Sequence, residues 1–100
     1  MNSKKKAKLP LRSEITKGFQ KDWTRLSHSG RYNMADLKTT MLLLIANDGP
    51  LPPEYLDHSL TAEWADHREC HVGGDFLLIY RIDDEEVVFV RAGTHSELFK

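Results

Sequence analysis

The chain has 100 residues, 40% of them hydrophobic and 29% charged, which is enough for one compact core and too little for a second. The formal net charge of -1 lacks the basic footprint usual in nucleic-acid proteins, but residues 1–38 hold ten Lys or Arg against Glu14, Asp22 and Asp36, leaving four of the 14 basic and twelve of the 15 acidic residues to the remainder. Cys70 is the only cysteine, so an intramolecular disulfide is excluded, and the longest uninterrupted apolar run, Met41 to Ala46, falls far short of a membrane span.

Lys4-Lys5-Lys6 has no apolar stretch behind it, which excludes an ordinary signal peptide and leaves residues 1–8 as a basic, disordered arm ahead of one domain over residues 9–100. A cytoplasmic location is expected. Leu9 to Ile15 alternates as a first strand, with Pro10 confining it to an edge or to the strand's first residues. Phe19, Trp23 and Leu26 then repeat at helical spacing behind a Thr16 cap, and Gly30 stops the pattern. A second helix starts at the Asn33 cap and carries Met34, Leu37, Met41, Leu44 and Ile45 on one face; Asn47-Asp48-Gly49-Pro50 ends it by removing helical geometry and a donor.

Beyond Leu51-Pro52-Pro53 the period changes to two, and strands are expected over residues 62–70 with Trp64, over 76–82 and over 86–92. A two-residue loop at Asp84-Glu85 pairs Asp83 with Glu86, Tyr80 with Phe89 and Leu78 with Arg91, which sets Phe76 and Arg91 on one face as diagonal neighbours. A three-residue loop reverses that parity. The expected fold is α+β in the order β-α-α-β-β-β, with two amino-terminal helices packed on a small antiparallel sheet, and Trp64, Tyr80 and Phe89 belong to its core.

The segments His71-Val72-Gly73-Gly74-Asp75-Phe76 and Arg91-Ala92-Gly93-Thr94-His95-Ser96-Glu97-Leu98-Phe99 bracket one hairpin, whose pairing brings residues distant in sequence to one small site. Imidazole, carboxylate and guanidinium are the groups needed to move protons around a phosphate and hold its charge. Together with Asp57-His58-Ser59-Leu60, Trp64, Arg68 and Leu78-Ile79-Tyr80, this spaced set resembles the YafQ-like toxins of type II toxin-antitoxin modules, within the RelE superfamily. The likeness covers about residues 51–99, and the amino-terminal half agrees in layout with the RelE-like fold.

The resemblance implies a ribosome-dependent mRNA endoribonuclease that inhibits translation and needs no cofactor. Its partners would be the 70S ribosome, mRNA and a cognate antitoxin, with which it would form a hetero-oligomer; no membrane is involved. Carried over position by position, the functional residues are His58, His71, Asp75, Arg91, His95 and Phe99. Where the family often has tryptophan after the aspartate, this chain has Phe76, which offers a stacking face without the indole donor.

The residues suit that chemistry. RNA supplies its 2′-hydroxyl as nucleophile, so a metal-free enzyme needs a base, an acid for the departing 5′-oxygen and a cation for the phosphate. His95 is the candidate acid, His58 or Asp75 the candidate base with His71 orienting or sharing the proton, and Arg91 the phosphate contact. Phe76 and Phe99 would stack on splayed bases. Bland readings stand beside these: Arg91 paired with Glu69 or Glu97, Phe99 closing the core, and Thr94 to Glu97 as a capping box. A zinc site at His67-Arg68-Glu69-Cys70-His71 is disfavoured, because strand alternation points Cys70 away from both histidines. The alternative functions are a gyrase-targeting member of the superfamily and a catalytically inactive binding module.

Overall fold

The computed structural model describes residues 9–99. The basic arm expected over residues 1–8 lies outside the described residues, as does Lys100. The chain runs β1 (Arg12–Ile15), α1 (Lys17–Ser29), α2 (Met34–Ala46), β2 (His58–Ser59), β3 (Arg68–Gly73), β4 (Phe76–Asp83), β5 (Glu86–Gly93) and a final turn of helix, α3 (His95–Leu98).

Local chemistry sets the helix boundaries. Thr16 caps α1, its hydroxyl accepting from the Phe19 N–H at 2.9 Å, and Asn33 caps α2 by accepting from the Asp36 N–H at 3.0 Å. Left-handed residues close both helices, Gly30 for α1 and Asn47 for α2.

The strands form one sheet in the order β1-β5-β4-β3-β2. Its pairings are antiparallel except the first: β1 runs parallel to β5, from Arg12 opposite Glu86 to Ile15 opposite Phe89. The α+β class and the strand, helix, helix, strands order stand, with β2 and α3 added. Residues 62–70 are not one strand. Ala62 and Asp66 take positive φ angles of 56° and 71°, which a strand cannot accommodate, so Ala62–Trp64 coil into a 3-10 turn and the strand starts at Arg68.

The β4–β5 hairpin has the expected two-residue loop, with Asp83 opposite Glu86 and Tyr80 opposite Phe89. Beyond that point the expected register fails. Val90 is an extra residue, a β-bulge, so Arg91 falls opposite Ile79 rather than Leu78.

Helices cover one sheet face. Phe19, Leu26, Leu37 and Leu44 pack there on Cys70, Leu78, Tyr80, Val87 and Phe89. Each such side chain contributes about 1.5–3 kcal/mol of transfer free energy. The opposite face carries a smaller cluster of Leu77, Ile79 and Leu98, edged by Leu60, Trp64, Val90 and Phe99. Tyr80 and Phe89 are core as expected, whereas Trp64 belongs to this second cluster. That second face, free of α1 and α2 and closed at one end by α3, carries His71 and leads to His95.

Candidate active site

Alternation along β3 sends Cys70 into the helix-covered core and leaves Glu69 and His71 sharing the other face. His58 of β2 lies directly opposite Glu69. Glu69, with its side chain only 3% exposed, therefore sits between two imidazoles: its Oε2 is 3.9 Å from His58 Nε2 and 3.7 Å from His71 Nε2. Each ring is fixed from behind, because His58 Nδ1 lies 2.8 Å from the Leu56 carbonyl and His71 Nδ1 lies 3.0 Å from the Gly74 carbonyl. An Nδ1 facing a carbonyl carries the proton, so both rings present Nε2 to the carboxylate.

His71 pairs with Leu77, which pairs with Gly93, so one row across the sheet runs from the histidine strand to the start of α3. Two strand spacings make that span about 10 Å. At its far end Thr94 and Glu97 form a reciprocal capping box that opens α3 and presents His95 on its first turn. The His95 ring lies 5.1 Å from that of Phe99, and Phe99 meets Trp64 edge-on at 5.9 Å. Asp75, in the β3–β4 turn, accepts from the His95 backbone N–H at 3.2 Å through Oδ1. The aspartate thus touches the backbone of the His95 turn. His71, Asp75, His95 and Phe99 gather at one end of the open face, with His58 one strand further out.

Phe76 stands apart from that cluster, and Arg91 departs from its expected partners. Bulging at Val90 pairs Arg91 with Ile79 of the open face, and from there its guanidinium meets Asp22 of α1, with Nε donating to Oδ2 at 2.6 Å; neither Glu69 nor Glu97 is its hydrogen-bond partner. This replaces the expected diagonal contact with Phe76. Phe76 is 7% exposed and its ring packs 5.0 Å from that of Tyr32 in the helix-side core, so a base has no face of it to stack on. Of the two phenylalanines expected to stack, Phe99 alone is on the open face.

The charges respond to this packing. Burial works against ionised Asp22, but hydrogen bonds from Arg91, the Ala92 N–H and Arg25 outweigh it and hold the carboxyl below its ordinary range. Glu97 is lowered in the same way, against burial, by the Thr94 N–H and Arg25. Burial pushes the Cys70 thiol up to about 12, helped by nearby Asp57 and Glu69, so it is no thiolate ligand or nucleophile. Among the described residues no group of three or more His, Cys, Asp or Glu is arranged to hold a metal ion. His71 also borders a groove of about 510 Å³ with Asp36, Thr39, Glu54 and Tyr55.

Glu69 and Asp22 were not among the residues singled out from sequence. Glu69 carries a signal, two residues from His71 on an alternating strand. Asp22 carries a weaker one, an acid on the apolar face between Phe19 and Leu26.

The family described as bacterial toxin of type II toxin-antitoxin system, YafQ, matches residues 11–100. The chain belongs to the YafQ toxin family. Among YafQ relatives, the mRNA interferase toxin YafQ of Escherichia coli strain B is 42% identical over 86 residues, which is 86% of this chain and 92% of the relative. The putative toxin YafQ of Haemophilus influenzae is 38% identical over 93 residues, covering 88% of this chain and 91% of that protein. Among solved structures, Escherichia coli YafQ superposes with a TM-score of 0.83 at 39% identity, over 90% of this chain and 99% of that one. YafQ in the Escherichia coli DinJ-YafQ complex gives 0.81 at 40% identity, with the same coverage. A copper-bound mutant toxin from Helicobacter pylori gives 0.81 at 38% identity, over 89% of this chain and 99% of that one. No helix among the described residues is long and apolar enough to cross a membrane.

Proposed function

We propose that this YafQ-family protein is a ribosome-dependent mRNA endoribonuclease of a type II toxin-antitoxin pair, acting in the cytoplasm as one domain over residues 9–100. The observation that carries the reading is the convergence of His71, Asp75, His95 and Phe99 at one end of the open sheet face, with Asp75 on the backbone of the His95 turn. Relatives at about 40% identity named mRNA interferase toxin support the activity. The solved DinJ-YafQ complexes support an antitoxin partner.

In this reading the 2′-hydroxyl attacks the adjacent phosphorus. His71 or His58 takes its proton, with Glu69 between the two rings stabilising whichever imidazolium forms. Asp75 remains a second candidate base through the oxygen that the His95 N–H does not occupy. His95 donates to the departing 5′-oxygen, Arg91 steadies charge developing on the non-bridging oxygens, and Phe99 stacks on a displaced base. These groups can complete the proton transfers without a metal. The copper-bound relative makes this worth testing directly.

The test is purified protein added to translating ribosomes, with the new mRNA ends mapped. His95→Ala and Arg91→Ala are each expected to fold and bind antitoxin while losing about 10²- to 10⁴-fold in cleavage rate. Full cleavage by a folded His95→Ala variant removes the acid assignment. Elemental analysis of the active isolated protein is expected to find no stoichiometric metal; bound copper or zinc whose removal abolishes cleavage overturns the metal-free mechanism.

A further inference from the structure

Arg91 is held along one edge. Its Nε donates to Asp22 Oδ2 at 2.6 Å and its Nη2 to Oδ1 at 3.2 Å, while Nη1 has no hydrogen-bond partner among the described residues. A two-point pair fixes the plane of a guanidinium as well as its position. Asp22 is 4% exposed and lies on α1 between buried Phe19 and Leu26, so it has little freedom of its own. The same Oδ2 accepts from the Ala92 N–H at 3.0 Å, tying the carboxylate to the strand that carries Arg91. Gly18 provides the space, since a Cβ there would stand 3.0 Å from Arg91 Cδ.

The network continues to the other end of the site. Arg25 donates through Nη2 to Asp22 Oδ1 at 3.0 Å and through Nη1 to Glu97 Oε2 at 2.8 Å. Glu97 Oε1 in turn accepts from the Thr94 N–H at 2.8 Å, the bond that starts the His95 turn. A Cβ on Gly93, whose φ is 156°, would meet that Oε1 at 2.6 Å, so only glycine lets β5 pass so close to it. One buried carboxylate on α1 therefore reaches the guanidinium of Arg91 directly and the turn bearing His95 through Arg25 and Glu97.

We propose that Asp22 is a positioning residue for RNA cleavage: it holds Arg91 with Nη1 directed to the scissile phosphate and, through Arg25 and Glu97, steadies the turn that carries His95. This rests on the roles given above to Arg91 and His95. Asp22 is buried while its two arginines stay partly exposed, and removing the one carboxylate leaves both without the partner that sets their geometry.

The experiment measures single-turnover mRNA cleavage on programmed ribosomes for the wild type, Asp22→Asn, Arg91→Ala and the double variant. Asp22→Asn keeps the size and removes the charge. It is expected to lower the saturating rate constant about 10²-fold, with the toxin concentration at half-saturation unchanged, and the double variant is expected to be slower than Arg91→Ala only by the smaller loss that passes through Arg25 and Glu97, well short of the product of the two single losses. Wild-type cleavage by Asp22→Asn, or losses that multiply in full in the double variant, overturns the proposal while leaving the nuclease reading intact. No cleavage by the wild type, or full cleavage by Arg91→Ala, removes the functional reading and the proposal with it. Should Asp22→Asn fail to fold, proton exchange in the wild type decides: a resolved, slowly exchanging Arg91 Nε–H resonance is expected, and a rapidly exchanging one overturns the assignment.

Discussion

Phe76 and Phe99 are chemically identical and do different work. Phe76 fills the helix-side core beside Tyr32, so Phe76→Ala is expected to cost about 3–5 kcal/mol in urea unfolding. Phe99 lies between His95 and Trp64 on the open face, so Phe99→Ala should cost less stability but weaken RNA engagement by about 1–3 kcal/mol, the value of one stacked base. Matched unfolding and cleavage curves for the two variants separate the roles; equal losses of stability would show Phe99 to be core. Asp22 and Glu97 make a second prediction. Both have folded-state pKa values below their ordinary ones, so their contribution to stability is complete above the unfolded value, near pH 4, and is lost as pH falls through the folded value. Wild-type unfolding free energy should therefore drop on acidification from pH 5 to 3. Asp22→Asn should begin less stable, by about 2 kcal/mol with its arginine partners still part solvated, and show a shallower drop.

Among the elements, α1 faces two ways. Inward it carries Phe19, Asp22 and Leu26; outward it presents Lys17 and Lys21, within the basic part of the chain. An acidic, partly disordered antitoxin segment that folds on binding fits this outer face. Lys17→Glu with Lys21→Glu is expected to weaken antitoxin binding and flatten its salt dependence, while unchanged affinity at low salt would place the segment elsewhere. Arg25 is left out of that variant because its guanidinium already serves Asp22 and Glu97. The helices were readable in sequence because their caps and apolar spacing act over a few residues. The hairpin was readable too, and with it the meeting of His71, Asp75 and His95. Val90 was not, since a bulge depends on what lies beside the strand: here the Thr16 hydroxyl donates to the Val90 carbonyl at 2.7 Å and Asp22 accepts from the Ala92 N–H. That single extra residue moved Arg91 from the Phe76 side of the sheet to the Ile79 side, where its guanidinium reaches Asp22. The left-handed turns at Ala62 and Asp66, both at non-glycine residues, were equally invisible to alternation.

At the scale of the whole molecule, every residue assigned to the chemistry lies between His58 and Phe99, yet the carboxylate that orients Arg91 comes from the first quarter of the chain. The seam between these parts is the parallel pairing of β1 with β5. All four β1 side chains are exposed, and the strand is held by backbone hydrogen bonds, including Arg12 N–H to the Glu85 carbonyl at 2.8 Å and Thr16 N–H to the Phe89 carbonyl at 3.1 Å. Such a strand has little apolar surface opposing its release, so it should open by local fluctuation well before the β3–β4–β5 ladder does. Native-state hydrogen exchange should then show β1 amides least protected, α1 next and the central strands most protected. Uniform protection across the sheet would contradict this order. Cleavage as denaturant is raised should follow the α1 amides and fade while the three-stranded ladder is still protected, so the toxin would be disarmed by fraying at one margin long before it unfolds.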